Sequence, residues 1–337
     1  MSNASDPGLR ELAERCGFCV GTCVSFLPLQ NDPQYGRILE REFNVITPEN
    51  ALKFGVVSES RGHYDFSHAD AIVAFAEARN MGVRGHALLW YEQLPAWLIE
   101  ANASRSELID ILMNHVATLV RRYAGRIDVW DVVNEAINAD GTFRNNIWHR
   151  TIGPEYIDFA FIAARMADPN ARLFYNDYGV ESTPQHAESV YRLLKDLRAR
   201  HIPVDGVGLQ MHLTVDDLNE LDRLPSVLAQ LRELELRIAI TEFDVRMKLE
   251  GREMPEQLKV QSEIYRQTLR CCLGAENCDT LVFWGFTDRH SWVPHFYPNQ
   301  GAALFLDEEY QRKPAYTALA SEFTHAELRS LPTNRRR

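Results

Sequence analysis

Two short apolar runs in this chain each deliver a glutamate. One is Val129-Trp130-Asp131-Val132-Val133-Asn134-Glu135, the other Ile238-Ala239-Ile240-Thr241-Glu242-Phe243-Asp244. Both read as buried strands carrying a carboxylate at the C-terminal end. Paired carboxylates at one barrel mouth suit acid-assisted glycoside cleavage, in which one acid protonates the leaving oxygen and the other attacks or activates water. The functional reading turns on whether Glu135 and Glu242 face each other.

The elements that must position them alternate regularly. Eight apolar, β-rich runs appear at Phe18–Val24, Phe43–Thr47, Val83–Trp90, Ile127–Asn134, Arg172–Asn176, Val207–His212, Arg237–Thr241 and Leu281–Phe286. Segments with helical spacing lie between them: Ser67–Asn80, Ser104–Tyr123, Glu155–Ala167, Pro184–Arg200, Leu224–Glu235, Glu256–Leu273 and Ala315–Leu328. This alternation predicts an α/β fold, a single (β/α)8 TIM barrel. A doubly wound open sheet is the alternative, but no Gly-x-Gly-x-x-Gly follows the first strand. No linker-like or low-complexity tract divides the chain. The expected organisation is an N-terminal extension over 1–11, a catalytic barrel over 12–330 and a frayed tail over 331–337.

The predicted strand ends are polar. The second strand leads into Glu49, Asn50 and Lys53, and the third carries His86 and Trp90, with Gln93 beyond. The fourth ends in Asn134 and Glu135, the fifth in Asn176, Asp177 and Tyr178, and the sixth in Gln210 and His212. The seventh ends in Glu242 and Asp244; the eighth carries Trp284, with Trp292 in the loop after it. Burying so many polar groups without partners would cost several kcal/mol, so a polar cleft is the better reading. Amides, imidazoles and carboxylates can hydrogen-bond sugar hydroxyls, and indoles can cover the apolar faces of pyranose rings. A single Trp would more simply be core; three among these polar groups favour a sugar site. His63, His68, His149 and His325 read as surface or helix residues. His290 and His295 lie within reach of the cleft but are not assigned to it.

Composition limits the partners. Net charge is −11, and the only basic cluster is Arg335-Arg336-Arg337, which disfavours nucleic acid and acidic membrane surfaces. No apolar run reaches membrane-spanning length. The six cysteines fall into two groups, Cys16, Cys19 and Cys23, then Cys271, Cys272 and Cys278, with no histidine interleaved at zinc-site spacing. No metal or cofactor is expected. Cys19 and Cys23 read as buried thiols; Cys272 and Cys278 bracket a short turn and could close a small disulfide loop in an exported protein.

Several segments resemble glycoside hydrolase family 10, the endo-β-1,4-xylanases. They are Phe43-Asn44-Val45-Ile46-Thr47-Pro48-Glu49-Asn50, Gly85-His86-Ala87-Leu88-Leu89-Trp90, Trp130 to Glu135, Gly208-Leu209-Gln210-Met211-His212, Ile240 to Asp244, Phe283-Trp284-Gly285-Phe286-Thr287-Asp288 and Lys313-Pro314-Ala315-Tyr316. They follow family order from about Leu12 to Ala320. The resemblance implies a retaining enzyme acting on xylan or xylo-oligosaccharides, with Glu135 as acid/base and Glu242 as nucleophile, their carboxyl groups about 5–5.5 Å apart. It implies that His212 hydrogen-bonds Glu242 and is held by Asp244, and that Asn134 binds the sugar 2-hydroxyl. Glu49, Asn50, Lys53, His86, Gln93, Trp284 and Trp292 would line the glycone side, with Trp90 in the cleft. Gln210 would support the acid/base, and Asn176 and Tyr178 the site around it.

Tyr91 stands where the family usually has His, and Gly179 where it often has Asn; both bear on cleft shape. The Cys272–Cys278 spacing resembles a disulfide of secreted members, so the resemblance favours a secreted or periplasmic protein. The polar stretch Met1 to Arg10 lacks a signal-peptide core, which leaves a cytoplasmic protein or a missing leader as the alternatives. A monomer is expected. The competing readings are a β-glycanase acting on another 1,4-linked backbone, a carbohydrate binder that has lost catalysis, and a metal-dependent hydrolase using His86, His212 and carboxylates. The crowded, charged set Glu49, Asn50 and Lys53 leaves little room for a hydroxymethyl group and favours xylose. A pure binder has no need of two facing acids.

Overall fold

The structure, a computed structural model, describes residues 6–330. The expected tail at 331–337 and the first five residues of the expected extension lie outside the described residues. Eight parallel strands close on themselves: β1 (Cys19–Val24), β2 (Val45–Pro48), β3 (Gly82–Gly85), β4 (Val129–Asn134), β5 (Arg172–Asp177), β6 (Gly206–Leu209), β7 (Arg237–Lys248) and β8 (Cys278–Phe283). Each pairs with the next, and β8 returns to β1 with Val20 opposite Leu281. Strands buried on both faces read as continuous apolar runs, which is why the eight segments lack strict alternation.

The helices follow their sequence signals. Ser104 accepts from the Glu107 backbone while the Glu107 carboxylate reaches back to the Ser104 N–H, a capping box that opens Arg105–Arg122. The helices outside the predicted segments include Leu9–Arg15, Phe26–Asn31 and Pro33–Glu42. The first buries Leu9, Leu12 and Ala13, and the Leu9 N–H donates to Glu42 Oε2 at 2.8 Å. Asp32 caps the third through the N–H groups of Gln34 and Tyr35.

Two strands depart most in length from their predicted runs. β3 stops at Gly85 although the apolar run continues to Trp90. Beyond it, Leu88 and Leu89 donate to the carbonyls of Asp131 and Val132, and His115 Nε2 bonds the Leu88 carbonyl at 3.1 Å. Burial pushes the His115 imidazole down to about 3, so it is neutral, and it stacks on Phe54 at 3.5 Å. β7 runs on to Lys248 because it gains two further short partners, His212–Thr214 and Gln300–Gly301. The loop disulfide is not formed: all six cysteines are free. The Cys272 thiol is hydrogen-bonded to Cys278, and this bond and burial raise its pKa well above the ordinary value, disfavouring the thiolate that disulfide exchange requires.

One buried ion pair sits directly beneath the strand ends. The Arg84 guanidinium grips Asp131 through both carboxylate oxygens, and both side chains are almost fully buried. Asp131 Oδ2 also meets His86 Nδ1 at 3.0 Å. Burial would raise the Asp131 pKa, but Arg84 and His86 outweigh it and hold the carboxyl below its ordinary value. Removing one partner of such a pair strands the other charge. Asp131→Ala should therefore destabilise the barrel by about 3–5 kcal/mol in urea unfolding, and a loss below ~1 kcal/mol would show that Arg84 is solvated by other means.

Candidate active site

Local irregularities at the ends of β4 and β7 aim the two glutamates. The β4–β5 register slips between Asp131 and Val133, and the β7–β8 register between Ile240 and Phe243. Bulges of this kind redirect side chains. Glu135 follows with φ +55°, a left-handed conformation that costs a non-glycine residue on the order of 1 kcal/mol. Its N–H is held by the Asn176 carbonyl at 2.9 Å. Both carboxylates line one cleft of about 620 Å³.

A chain of side-chain amides joins them. Asn176 Nδ2 donates to Glu242 Oε1 at 2.7 Å and to Asn134 Oδ1 at 2.8 Å. Gln210 Nε2 donates to Asn134 Oδ1 at 3.3 Å and to Glu135 Oε1 at 2.8 Å. Asn134 Nδ2 reaches the same Glu135 oxygen at 3.2 Å, and Thr241 Oγ1 donates to Asn176 Oδ1 at 2.7 Å. The bridge needs a glycine beside it. A Cβ on Gly208 would lie 2.1 Å from Asn176 Oδ1 and 2.7 Å from Thr241 Cγ2.

The environments of the acids differ. Glu242 Oε2 meets His212 Nε2 at 3.2 Å, while His212 Nδ1 meets Asp244 Oδ2 at 3.0 Å. Trp292 Nε1 donates to that Asp244 oxygen at 2.7 Å. Burial would lower the His212 pKa, but Asp244 and then Glu242 raise it to about 10, so the ring is an imidazolium between two carboxylates. Burial would raise Glu242, yet His86 and His212 together hold it below its ordinary value. Glu135 lies above its ordinary value: burial raises it, the hydrogen bonds from Gln210 and Trp90 oppose this, and the charges of Asp177 and Glu242 add to the rise. Trp90 Nε1 reaches Glu135 Oε2 at 3.0 Å.

Every residue singled out at the strand ends as a sugar contact lines this cleft: Glu49, Asn50, Lys53, His86, Trp90, Gln93, Asn134, Gln210, His212, Trp284 and Trp292, with Tyr178 at its edge. Asn176 and Asp244 lie behind it, each bonded to groups that do. Lys53 Nζ donates to Asn50 Oδ1 at 2.8 Å and sits 4.7 Å over the Trp90 ring. Glu49 accepts from Ser25. Trp284 packs edge-on against His86 with ring centroids 5.0 Å apart.

Two residues at the cleft or beside it, Arg144 and Glu181, carried no sequence signal. Arg144 donates to the Glu135 carbonyl at 3.0 Å and to Tyr178 Oη at 2.9 Å, and covers the Tyr91 ring at 4.1 Å. Glu181 is buried in the wall and pushed up to about 7 by that burial. Gly179, marked in the sequence by its departure from the family pattern, has φ +65° and borders the cleft. Among the described residues, no group of three or more His, Cys, Asp or Glu side chains is arranged to hold a metal ion. No described helix is long and apolar enough to cross a membrane.

Residues 8–322 match the family model for glycosyl hydrolase family 10. The chain belongs to that family. It is 42% identical over 318 residues to endo-1,4-beta-xylanase B of Thermotoga neapolitana, covering 94% of this chain and 91% of that one. Native xylanase 10B from Thermotoga maritima superposes with a TM-score of 0.92 at 39% identity, covering 96% of this chain and 99% of that one. Xylanase 10B from Thermotoga petrophila RKU-1, solved in complex with xylobiose, superposes at 0.93 with 38% identity, covering 97% and 100%. The closed parallel barrel is the architecture shared with these family 10 structures.

Gly208→Ala should displace Asn176 and lower kcat for glycoside hydrolysis by roughly 10²-fold while far-UV circular dichroism is preserved. Unchanged kcat would show that the amide bridge has slack. The imidazolium also makes stability depend on pH. The folded pKa of His212 lies above its unfolded value, so its contribution is full below pH ~6.5 and lost as pH rises through about 10. The stability difference between wild type and His212→Asn, measured by urea unfolding, should be larger at pH 6 than at pH 10.

Proposed function

We propose that this family 10 hydrolase is a retaining endo-1,4-β-xylanase that cleaves the xylan backbone by double displacement. The observation that carries the proposal is the pair of cleft carboxylates driven toward opposite protonation states. Glu135 above its ordinary pKa is suited to be the proton donor, and Glu242 below its own is suited to remain the ionised nucleophile.

The first step follows. Glu135 gives its proton to the glycosidic oxygen as Glu242 attacks the anomeric carbon, forming a glycosyl ester. Esterification removes the negative charge from Glu242. The repulsion that helped keep Glu135 protonated then disappears, its pKa falls, and it can take a proton from the incoming water. Asn134 is poised to bond the 2-hydroxyl of the reacting sugar, a contact that strengthens in the transition state. His212, held by Asp244, keeps Glu242 charged until attack. Trp90 and Gln210 hold the acid, and Glu49, Asn50, Lys53, Gln93, Trp284 and Trp292 supply the glycone wall. The names of the relatives, and the xylobiose bound to one of them, support xylan as the substrate.

Activity needs Glu242 ionised and Glu135 protonated, so kcat/KM should be bell-shaped. Its acid limb should lie below the ordinary carboxylate range and its basic limb above it. Glu242→Ala should abolish turnover of linear xylan with the fold intact, and Glu135→Ala should retain only aryl xylosides with good leaving groups. NMR of early products should show the β anomer. Near-normal xylan cleavage by Glu242→Ala, or initial α product, would sink the assignment. Faster sugar release from mixed-linkage glucan than from xylan would instead favour a related β-glycanase.

A further inference from the structure

The left-handed turn at Glu135 is held at four consecutive backbone groups. The Glu135 N–H donates to the Asn176 carbonyl at 2.9 Å, and the Glu135 carbonyl accepts from Arg144 Nε at 3.0 Å. The Ala136 N–H donates to Tyr175 Oη at 3.1 Å, and the Ala136 carbonyl accepts from the Arg144 N–H at 2.8 Å. A non-glycine residue at φ +55° relaxes toward an ordinary conformation unless its surroundings hold it. Among these partners, Tyr175 supplies a fully buried side chain.

The reason a phenol accepts a peptide N–H lies two residues further along β5. Alternate residues of a strand share a face, which brings Tyr175 and Asp177 together. The Tyr175 hydroxyl donates to Asp177 Oδ2. Burial and the adjoining carboxylate push the Tyr175 pKa well above its ordinary value, so the hydroxyl keeps that proton. A hydroxyl has one proton and two lone pairs; with the proton turned to Asp177, the lone pairs are left for Ala136. Asp177 is itself fully buried and fixed: Oδ1 accepts from the Tyr178 N–H at 2.9 Å, and His186 Nε2 lies 3.4 Å from the same oxygen. His186 Nδ1 bonds the Asn138 carbonyl at 3.0 Å. Burial would lower the His186 pKa, but the Asp177 carboxylate outweighs it and raises it.

Two arms therefore run from one buried carboxylate to the segment that follows Glu135. One ends at Ala136, the other at Asn138. Neither Tyr175 nor Asp177 lines the cleft. We propose that Asp177 is a positioning residue for the acid/base, acting through Tyr175 on Ala136 and through His186 on Asn138. The proposal rests on Glu135 being the acid/base and names what holds it within reach of the leaving oxygen. A buried carboxylate that needed only satisfied hydrogen bonds could take them from its own strand and loop; here both side-chain partners lead back to the turn at Glu135.

The test uses the full chain and two substrates, a linear xylo-oligosaccharide and a dinitrophenyl xylobioside. Dinitrophenolate leaves without being protonated, so kcat/KM for that compound does not need the acid. Its kcat reports hydrolysis of the glycosyl ester, which needs the base. Tyr175→Phe removes one hydroxyl and keeps the ring. It should lower kcat/KM for the oligosaccharide roughly tenfold, a fraction of what general acid catalysis contributes. For the dinitrophenyl compound it should leave kcat/KM within about twofold while kcat falls. Asp177→Asn places a donor where two acceptors are needed and should show the same split; it decides the matter if Tyr175→Phe does not fold. Equal losses on both substrates, or no loss on either, overturn the positioning role. Failure of both variants to fold overturns it too, since the pair would then be structural. Glu135→Ala tests the underlying reading separately. If it fails to spare the dinitrophenyl compound, Glu135 is not the acid and both readings fall; if it spares it, the Tyr175 and Asp177 variants judge the positioning role alone.

Discussion

Two acids share one cleft with pKa values pushed in opposite directions, and the amide bridge from Glu242 through Asn176, Asn134 and Gln210 to Glu135 joins them. Amides suit this task because they neither titrate nor carry charge. They fix the geometry of both carboxylates without adding a charge, and the Gln210 bond lowers the Glu135 pKa against the effect of burial. The surroundings are one-sided. Glu242 faces His86 and His212, whereas Glu135 faces an indole, amides and the charge of Asp177. The asymmetry comes from which strand each acid stands on.

The barrel serves that asymmetry. β5 and β6 lie between the strands that carry the acids, and their ends supply Asn176 and Gln210. β6 contributes a further requirement, the missing side chain at Gly208. On the opposite side, Arg84 and Asp131 orient His86 from below, so a charge on β3 acts on an acid of β7 through two intermediaries. Buried charges are costly unless paired, and here each is shared among several partners.

Much of this was legible because the barrel writes its own pattern. Continuous apolar runs marked the eight strands, and polar residues at their C-terminal ends marked the cleft. The end of β3 was not legible: Ala87, Leu88 and Leu89 are apolar because they are buried, with Leu88 bonded by His115 of helix Arg105–Arg122, not because they remain in the strand. The bulges on β4 and β7 left no trace either, since register is decided between strands. Gly208 looked like any strand glycine, and Arg84 like an ordinary polar residue within a run. Arg144 sits in a loop whose path only the packed barrel defines. Helix Leu9–Arg15, which straddles the expected boundary between extension and barrel, was not among the predicted segments because it buries only Leu9, Leu12 and Ala13.

Taken in order, Arg84, Asp131, His86, Glu242, His212 and Asp244 form a row across the barrel in which bases and acids alternate. Such a row behaves like a strip of ionic crystal. A vacancy at any position leaves both neighbours facing a partner of the wrong kind. Its members are therefore not free to drift one at a time. Change along this line has to arrive in matched pairs, and the interior of the barrel can be redesigned only in those units.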